Sequence, residues 1–218
     1  MHLVIYAIAP VVIIALYIYF RDKYDKEPIL MLIKALVMGM LTVIPVLLME
    51  SFFMEFLPLF DFSTRLSAFY NAFIVAAFTE ESWKFVALFL LIWKSKEFDE
   101  PIDGIVYAVF VSLGFAMVEN IMYVMEGGVS VALLRAFLAV PAHALFGVTM
   151  GYYMSLAKFT KDKQRHKKYY KYAIVSPIIL HGVYDFIIMA DEPLGILVFI
   201  PFIIYLWRTG FKRIKRLN

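Results

Sequence analysis

Apolar residues run through this chain in long blocks, and the polar positions fall either in clusters between the blocks or singly inside them. About 20 apolar residues let a helix cross the hydrocarbon of a bilayer. Blocks of that order at 3–20, 29–49, 67–93, 104–125, 131–157 and 172–190 predict six spans. A last apolar run, 194–207, is shorter and reaches crossing length only by borrowing from 192–211. The pattern predicts an all-α, polytopic membrane helix bundle of about seven transmembrane helices, with residues 1–218 as a single integral membrane domain. The first block has no basic stretch before it and no small-residue cleavage site after it, which reads as a retained helix. Residues 50–66 mix Phe, Leu and Pro with Glu50, Glu55, Asp61 and Arg65, a mixture suited to an interfacial segment. Residues 158–171 read as a basic loop, and Glu126, Gly127 and Gly128 as a turn.

Composition agrees: 63% of residues are hydrophobic, against roughly 45–50% in a soluble domain. Cysteine is absent, which excludes disulfides, thiolate metal ligands and a cysteine nucleophile. The net charge of +3 reflects topology rather than nucleic-acid binding, and no nucleic-acid motif is present. Of the 21 Lys and Arg residues, four lie in 21–34, two in 94–96, seven in 158–171 and five in 208–216, all on one side of the expected path. Arg65 and Arg135 fall on the other side, and Lys84 inside a span. The positive-inside rule then puts the C-terminus in the cytoplasm and the N-terminus outside, with the lipid bilayer as the chain's partner along its length.

Thr79-Glu80-Glu81-Ser82-Trp83-Lys84 interrupts the third block with three ionisable groups. A charge at membrane depth costs a few kcal/mol on insertion scales and is normally turned toward a bundle interior or a wet cavity. On a helix Lys84 can partner either carboxylate. A self-neutralising structural pair would need one Glu only; the second adds desolvation cost. Glu119, His143 and the i, i+4 pair His181 and Asp185 are the other ionisable groups inside spans. Counted from the cytoplasmic ends, Glu80 lies about 14 residues deep, Glu119 about 15, His143 about 14, and His181 to Asp185 about 9 to 13, one common layer at 1.5 Å per residue. Asp185 can orient the His181 ring. Two stripes of small residues, Gly104, Ala108, Ser112, Ala116 and Ala139, His143, Gly147, Gly151, predict close helix approach. Taken singly, His143 reads equally as an interhelical hydrogen-bond donor and Glu119 as a solvated group near the outer surface; Arg135 and the basic run read as orientation signals.

These residues resemble a known family. Glu80-Glu81 with Lys84, Phe115 with Glu119, His143, and His181 with Asp185 look like the EExxK, FxxxE, His and HxxxD signatures of the PrsW intramembrane proteases. The resemblance extends over 21–28, the segments 98–100 and 103–107, and Ser112 to Ala116, so it covers most of the chain. It is more distant to the CAAX-type (CPBP) membrane proteases, whose basic residue stands one position further along and which carry His where this chain has Glu119. The resemblance implies a bacterial plasma-membrane protease that cleaves a single-pass, membrane-anchored anti-sigma factor on its extracytoplasmic side, starting a stress-response cascade.

The residues themselves support hydrolysis by water: there is no cysteine and no Gly-x-Ser-x-Gly elbow, while acids and imidazoles gather in one layer. In one form Glu80, with Glu81, activates water beside Lys84, and His143 and His181 polarise the carbonyl, with no metal. In another, Glu119, His143 and His181 hold Zn²⁺ while Glu80 serves as base. The metal-free form is slightly favoured over zinc, because Glu80, Glu81 and Lys84 already form a water-activating group and no His-x-x-x-His pair lies on one helix. A proton-coupled transporter or channel using the Glu/His cluster as a relay is the alternative, although no inverted repeat is visible.

Overall fold

The computed structural model describes residues 2–22, 25–57, 64–190 and 195–217, and among these every regular element is helical. Helix α1 is His2–Arg21. Helices α2, Ile29–Leu41, and α3, Val43–Phe56, continue one another across a break at Thr42. Pro45 has no N–H and its ring crowds the carbonyl four residues back, so the break falls one turn before it. The Thr42 hydroxyl donates to Gly39 O at 2.6 Å and repairs part of the ladder. Helix α3 runs through Glu50 and Glu55, so these belong to a helix rather than to an irregular interfacial segment; Asp61 lies outside the described residues.

Residues 64–92 are helical throughout but in three registers: α4, Thr64–Tyr70; a π-helical stretch, Asn71–Phe78; and α5, Thr79–Ile92. Helix α6, Asp103–Phe137, and α7, Ala139–Phe159, follow without a loop. The combined 57 residues would reach about 85 Å if straight, so the chain must fold back. It does so at Gly128, whose φ of 72° is open to glycine, and at Leu138, three residues before Pro141. The expected span 131–157 is corrected accordingly: 129–137 belong to the end of α6, and α7 begins at Ala139.

The two small-residue stripes meet between α6 and α7. A Cβ on Gly151 would lie 2.1 Å from Gly104 O, and one on Gly147 2.8 Å from Ser112 Oγ, which also shows that the helices run antiparallel. Helix α6 is the centre of the bundle, with α1, α2 and α7 against it. The expected basic loop is confined to about 160–162. Helix α8, Lys163–Met189, starts there, capped by Asp162 Oδ1 accepting from the N–H groups of Gln164 at 2.8 Å and Arg165 at 3.1 Å. Helix α9, Gly195–Leu217, absorbs both the last apolar run and the basic tail.

Five stretches among the described residues are long and apolar enough to cross a membrane: His2–Arg21, Ile29–Phe56, Asp103–Phe159, Lys163–Met189 and Gly195–Leu217. The expectation of about seven differs in treating 67–93 as one span and in dividing Asp103–Phe159. Exposed Ile13, Leu48, Leu90, Phe137 and Ile196 belong to an outer apolar belt of the kind lipid covers.

Candidate active site

Helix α5 opens where the π-helical stretch ends, and Thr79 hydroxyl donates back to the Val75 and Ala76 carbonyls at that change of register. A π-turn is rare and recurs at functional sites. The next two residues are Glu80 and Glu81, 5% and 0% exposed. Lys84, fully buried one turn on, places Nζ 2.9 Å from Glu80 Oε2 and 2.8 Å from Glu81 Oε1. The ammonium also lies 3.2 Å from His143 Nδ1 and 4.1 Å from the centre of the Phe115 ring. Four elements of charge balance therefore converge on one lysine.

His181 of α8 stands on the other side of Glu81. Its Nδ1 is 2.9 Å from Glu81 Oε1 and 3.9 Å from Glu80 Oε2, and its Nε2 is 3.1 Å from Asp185 Oδ2. The imidazole is stacked on Phe146, with centroids 4.9 Å apart, and lies edge-on to His143 at 5.3 Å. A ring held by packing on one face and by carboxylates at both nitrogens has little freedom to turn.

Glu119 does not join this inner group. Its Oε2 is 2.9 Å from His143 Nε2 and 2.9 Å from Arg135 Nη2, both approached as ion contacts out of line with the N–H bonds. Arg135 returns to Glu119 because the chain folds at Gly128; Arg135 Nε donates to Asn120 Oδ1 at 2.8 Å, and Asn120 Nδ2 to Ala7 O at 2.7 Å. Reading Arg135 as an orientation signal is thus corrected. A half-buried Glu119 calls for a counter-charge, and Arg135, beyond the Gly127-Gly128 turn, was the nearest cation in sequence able to fold back to it. Asn120, Glu50 and Tyr184 were likewise not singled out as site residues.

A cavity of about 680 Å³ reaches this group; Glu80, Glu119, His143, His181 and Asp185 line it, with Glu50, Arg135 and Tyr184. Glu81 does not line it. Glu80, Glu81, His143 and His181 offer donor atoms all within 4.8 Å of one another. Among the described residues this group could hold a metal ion, and it has Glu80 and Glu81 where the expected set has Glu119 beside His143 and His181. The chemistry fits: two imidazoles with carboxylates are zinc ligands, and Glu81 Oε2 is buried with no partner.

Comparison with known proteins points to the family that the sequence resembles. The profile described as PrsW family intramembrane metalloprotease matches residues 27–207. Protease PrsW of Clostridioides difficile (strain 630) is 36% identical over 96% of this chain and 89% of its own length. Those of Bacillus subtilis (strain 168) and Geobacillus kaustophilus (strain HTA426) are each 38% identical over 96% of this chain and 92% and 89% of their own lengths. No solved structure matches the chain.

Proposed function

Because this chain belongs to the PrsW family of intramembrane metalloproteases, we propose that it is an endopeptidase that hydrolyses a membrane-anchored anti-sigma factor on the extracytoplasmic side, the first cut of a stress-response cascade. The whole chain, 1–218, acts as one domain in a bacterial plasma membrane, crossing seven times with its N-terminus outside and C-terminus cytoplasmic. The observation that carries the reading is the buried Glu80, Glu81, His143 and His181 group opening on a cavity.

The two carboxylates of α5 have different tasks. Glu80 lines the cavity and is the base: it takes the proton of the attacking water and passes it to the leaving amine. Glu81, sealed behind it, holds Lys84 and the His181 ring in place. Asp185 holds the other ring nitrogen of His181, and Glu119, clamped by Arg135, fixes His143. The sequence taken alone slightly favoured a metal-free mechanism; the family description and the donor set support metal dependence, and we adopt it. His143, His181 and one carboxylate of the pair would hold the ion, which when bound polarises the carbonyl and acidifies water. The apolar walls exclude bulk water, so these charges act at low dielectric.

Co-reconstitution in nanodiscs with a single-pass anti-sigma factor tests the proposal. Cleavage should stop on chelation, return with Zn²⁺ and be absent in His181→Ala, with about one zinc per chain in the active protein. Full activity in metal-stripped protein would leave the protease and remove the metal. Proton flux through liposomes that Glu80→Gln abolishes, with no cleavage, would replace the protease by a transporter. Reporter fusions after Lys168 and after Arg216 should read cytoplasmic, and one near Asp61 outside.

A further inference from the structure

Beside the catalytic cavity lies a second hollow of about 760 Å³, between α3 on one side and α4 with the π-helical stretch on the other. The two share Leu47, Glu50, Ala76, Tyr123 and Met189 in their walls, so they adjoin as one groove with Glu50 at the junction. Such a groove suits an extended peptide running past Glu80.

Three of the carboxylates deep in the cavity are already matched: Glu80 by Lys84, Glu119 by Arg135 and His143, and Asp185 by His181. Glu126 stands on the exposed rim. Glu50 is half-buried, inside the groove, and among the described residues has no hydrogen bond or ion pair. It lines the same cavity as Glu80, Glu119 and His181 but is hydrogen-bonded to none of them and has no task in the hydrolysis described above. Ionising a half-dry carboxyl without a counter-ion is costly, and a ligand that brings the counter-ion removes that cost.

We infer that Glu50 is a specificity-determining residue, the end of a subsite that receives a lysine or arginine side chain of the substrate a fixed distance from the bond cut. This rests on the protease reading. The walls support the choice of a long cation over a backbone amide: Leu47 and Met54 line the approach and cover an aliphatic stem, while the charged head reaches Glu50.

The test uses the full-length protein in nanodiscs with a synthetic library of soluble peptides carrying Lys, Arg, Gln or Glu at each position in turn, the products read by mass spectrometry. Wild type should cleave peptides with Lys or Arg at one position relative to the cut about tenfold or more better than those with Gln, with the preference carried by KM rather than kcat, as a charge-assisted hydrogen bond predicts. In Glu50→Gln the ratio should fall to near unity, and in Glu50→Lys peptides with Glu at that position should become the better ones. The readout is a ratio within one preparation, so a partly misfolded variant does not alter it. A Lys/Gln ratio that survives Glu50→Gln, or no positional preference in a wild type that cleaves the library, overturns the inference and leaves the protease reading intact. A wild type that cleaves neither library nor membrane-anchored protein overturns both.

Discussion

Buried carboxyl groups collect at two places along α6, and only one of them has the makings of a catalyst. At the head of the helix, Asp103 Oδ2 accepts the N–H groups of Asp99 at 3.1 Å and Glu100 at 2.6 Å, and the Tyr107 hydroxyl donates to Glu27. Asp22, Glu27 and Asp103 are all buried there. About 24 Å further along, at Glu119, the neighbours are Lys84, Arg135 and two histidines, and a cavity opens. Burial pushes the Glu27 carboxyl up to about 9, against the hydrogen bond from Tyr107 that pulls it down, so it is a neutral hydrogen-bonding group at pH 7. Among the described residues the head cluster has neither an imidazole nor a buried ammonium; Lys26 is turned to the Tyr19 and Asp22 carbonyls. Acidity and burial alone therefore do not mark a site. Fixed cations that keep carboxylates charged, and a space for substrate beside them, do. The head cluster has a mechanical task, joining the α1–α2 connection to α6, which accounts for segments 21–28 and 98–107 without assigning them chemistry.

The comparison breaks first at the base. Glu80→Gln should lower cleavage by about 10²–10⁴-fold, the range for loss of a general base, while the variant keeps the melting profile of the wild type in nanodiscs. Glu27→Gln should leave cleavage within about twofold, since glutamine copies a neutral carboxyl hydrogen-bonding to a phenol. Equal losses in the two would erase the distinction drawn here. A smaller effect separates the positioning residues from the base: Asp185→Asn should cost about 10–100-fold, as loss of a partner behind a ligating histidine does, and should weaken zinc retention in the same proportion. If zinc retention is unchanged while cleavage falls, Asp185 acts on the substrate rather than through His181.

Much of the candidate site was legible because a charge inside an apolar block is conspicuous, and Glu80, Glu81, Lys84, His143, His181 and Asp185 do come together. Arg135 was not, since its approach to Glu119 depends on one positive φ at Gly128. The π-helical stretch left no mark in the sequence either, as Asn71–Phe78 is apolar in any register. Span boundaries failed where helices run on: Lys163–Lys171 is basic yet helical, because charge decides the side of the membrane and not the backbone conformation. The pairing of Glu27 with Tyr107 joins residues 80 apart, beyond any periodicity.

The smallest effect expected concerns the head cluster and pH. An ordinary glutamate titrates near about 4.3, whereas the folded protein holds the Glu27 proton up to about 9. Between those values the unfolded chain has lost a proton that the fold retains, so the folded state binds more protons and stability must fall as pH rises. The contribution is fully present below the unfolded value and gone once the folded carboxyl ionises. Melting temperature in nanodiscs should therefore decline across pH 5 to 9 in the wild type, and the decline should be shallower in Glu27→Gln, where nothing titrates at that position. The two curves should lie closest at the acid end of that range, where wild-type Glu27 is protonated in the fold and resembles its amide. Parallel curves would mean that Glu27 is already ionised in the fold, with an unresolved counter-charge beside it, and the head cluster would then have to be counted with the catalytic one as a charged site.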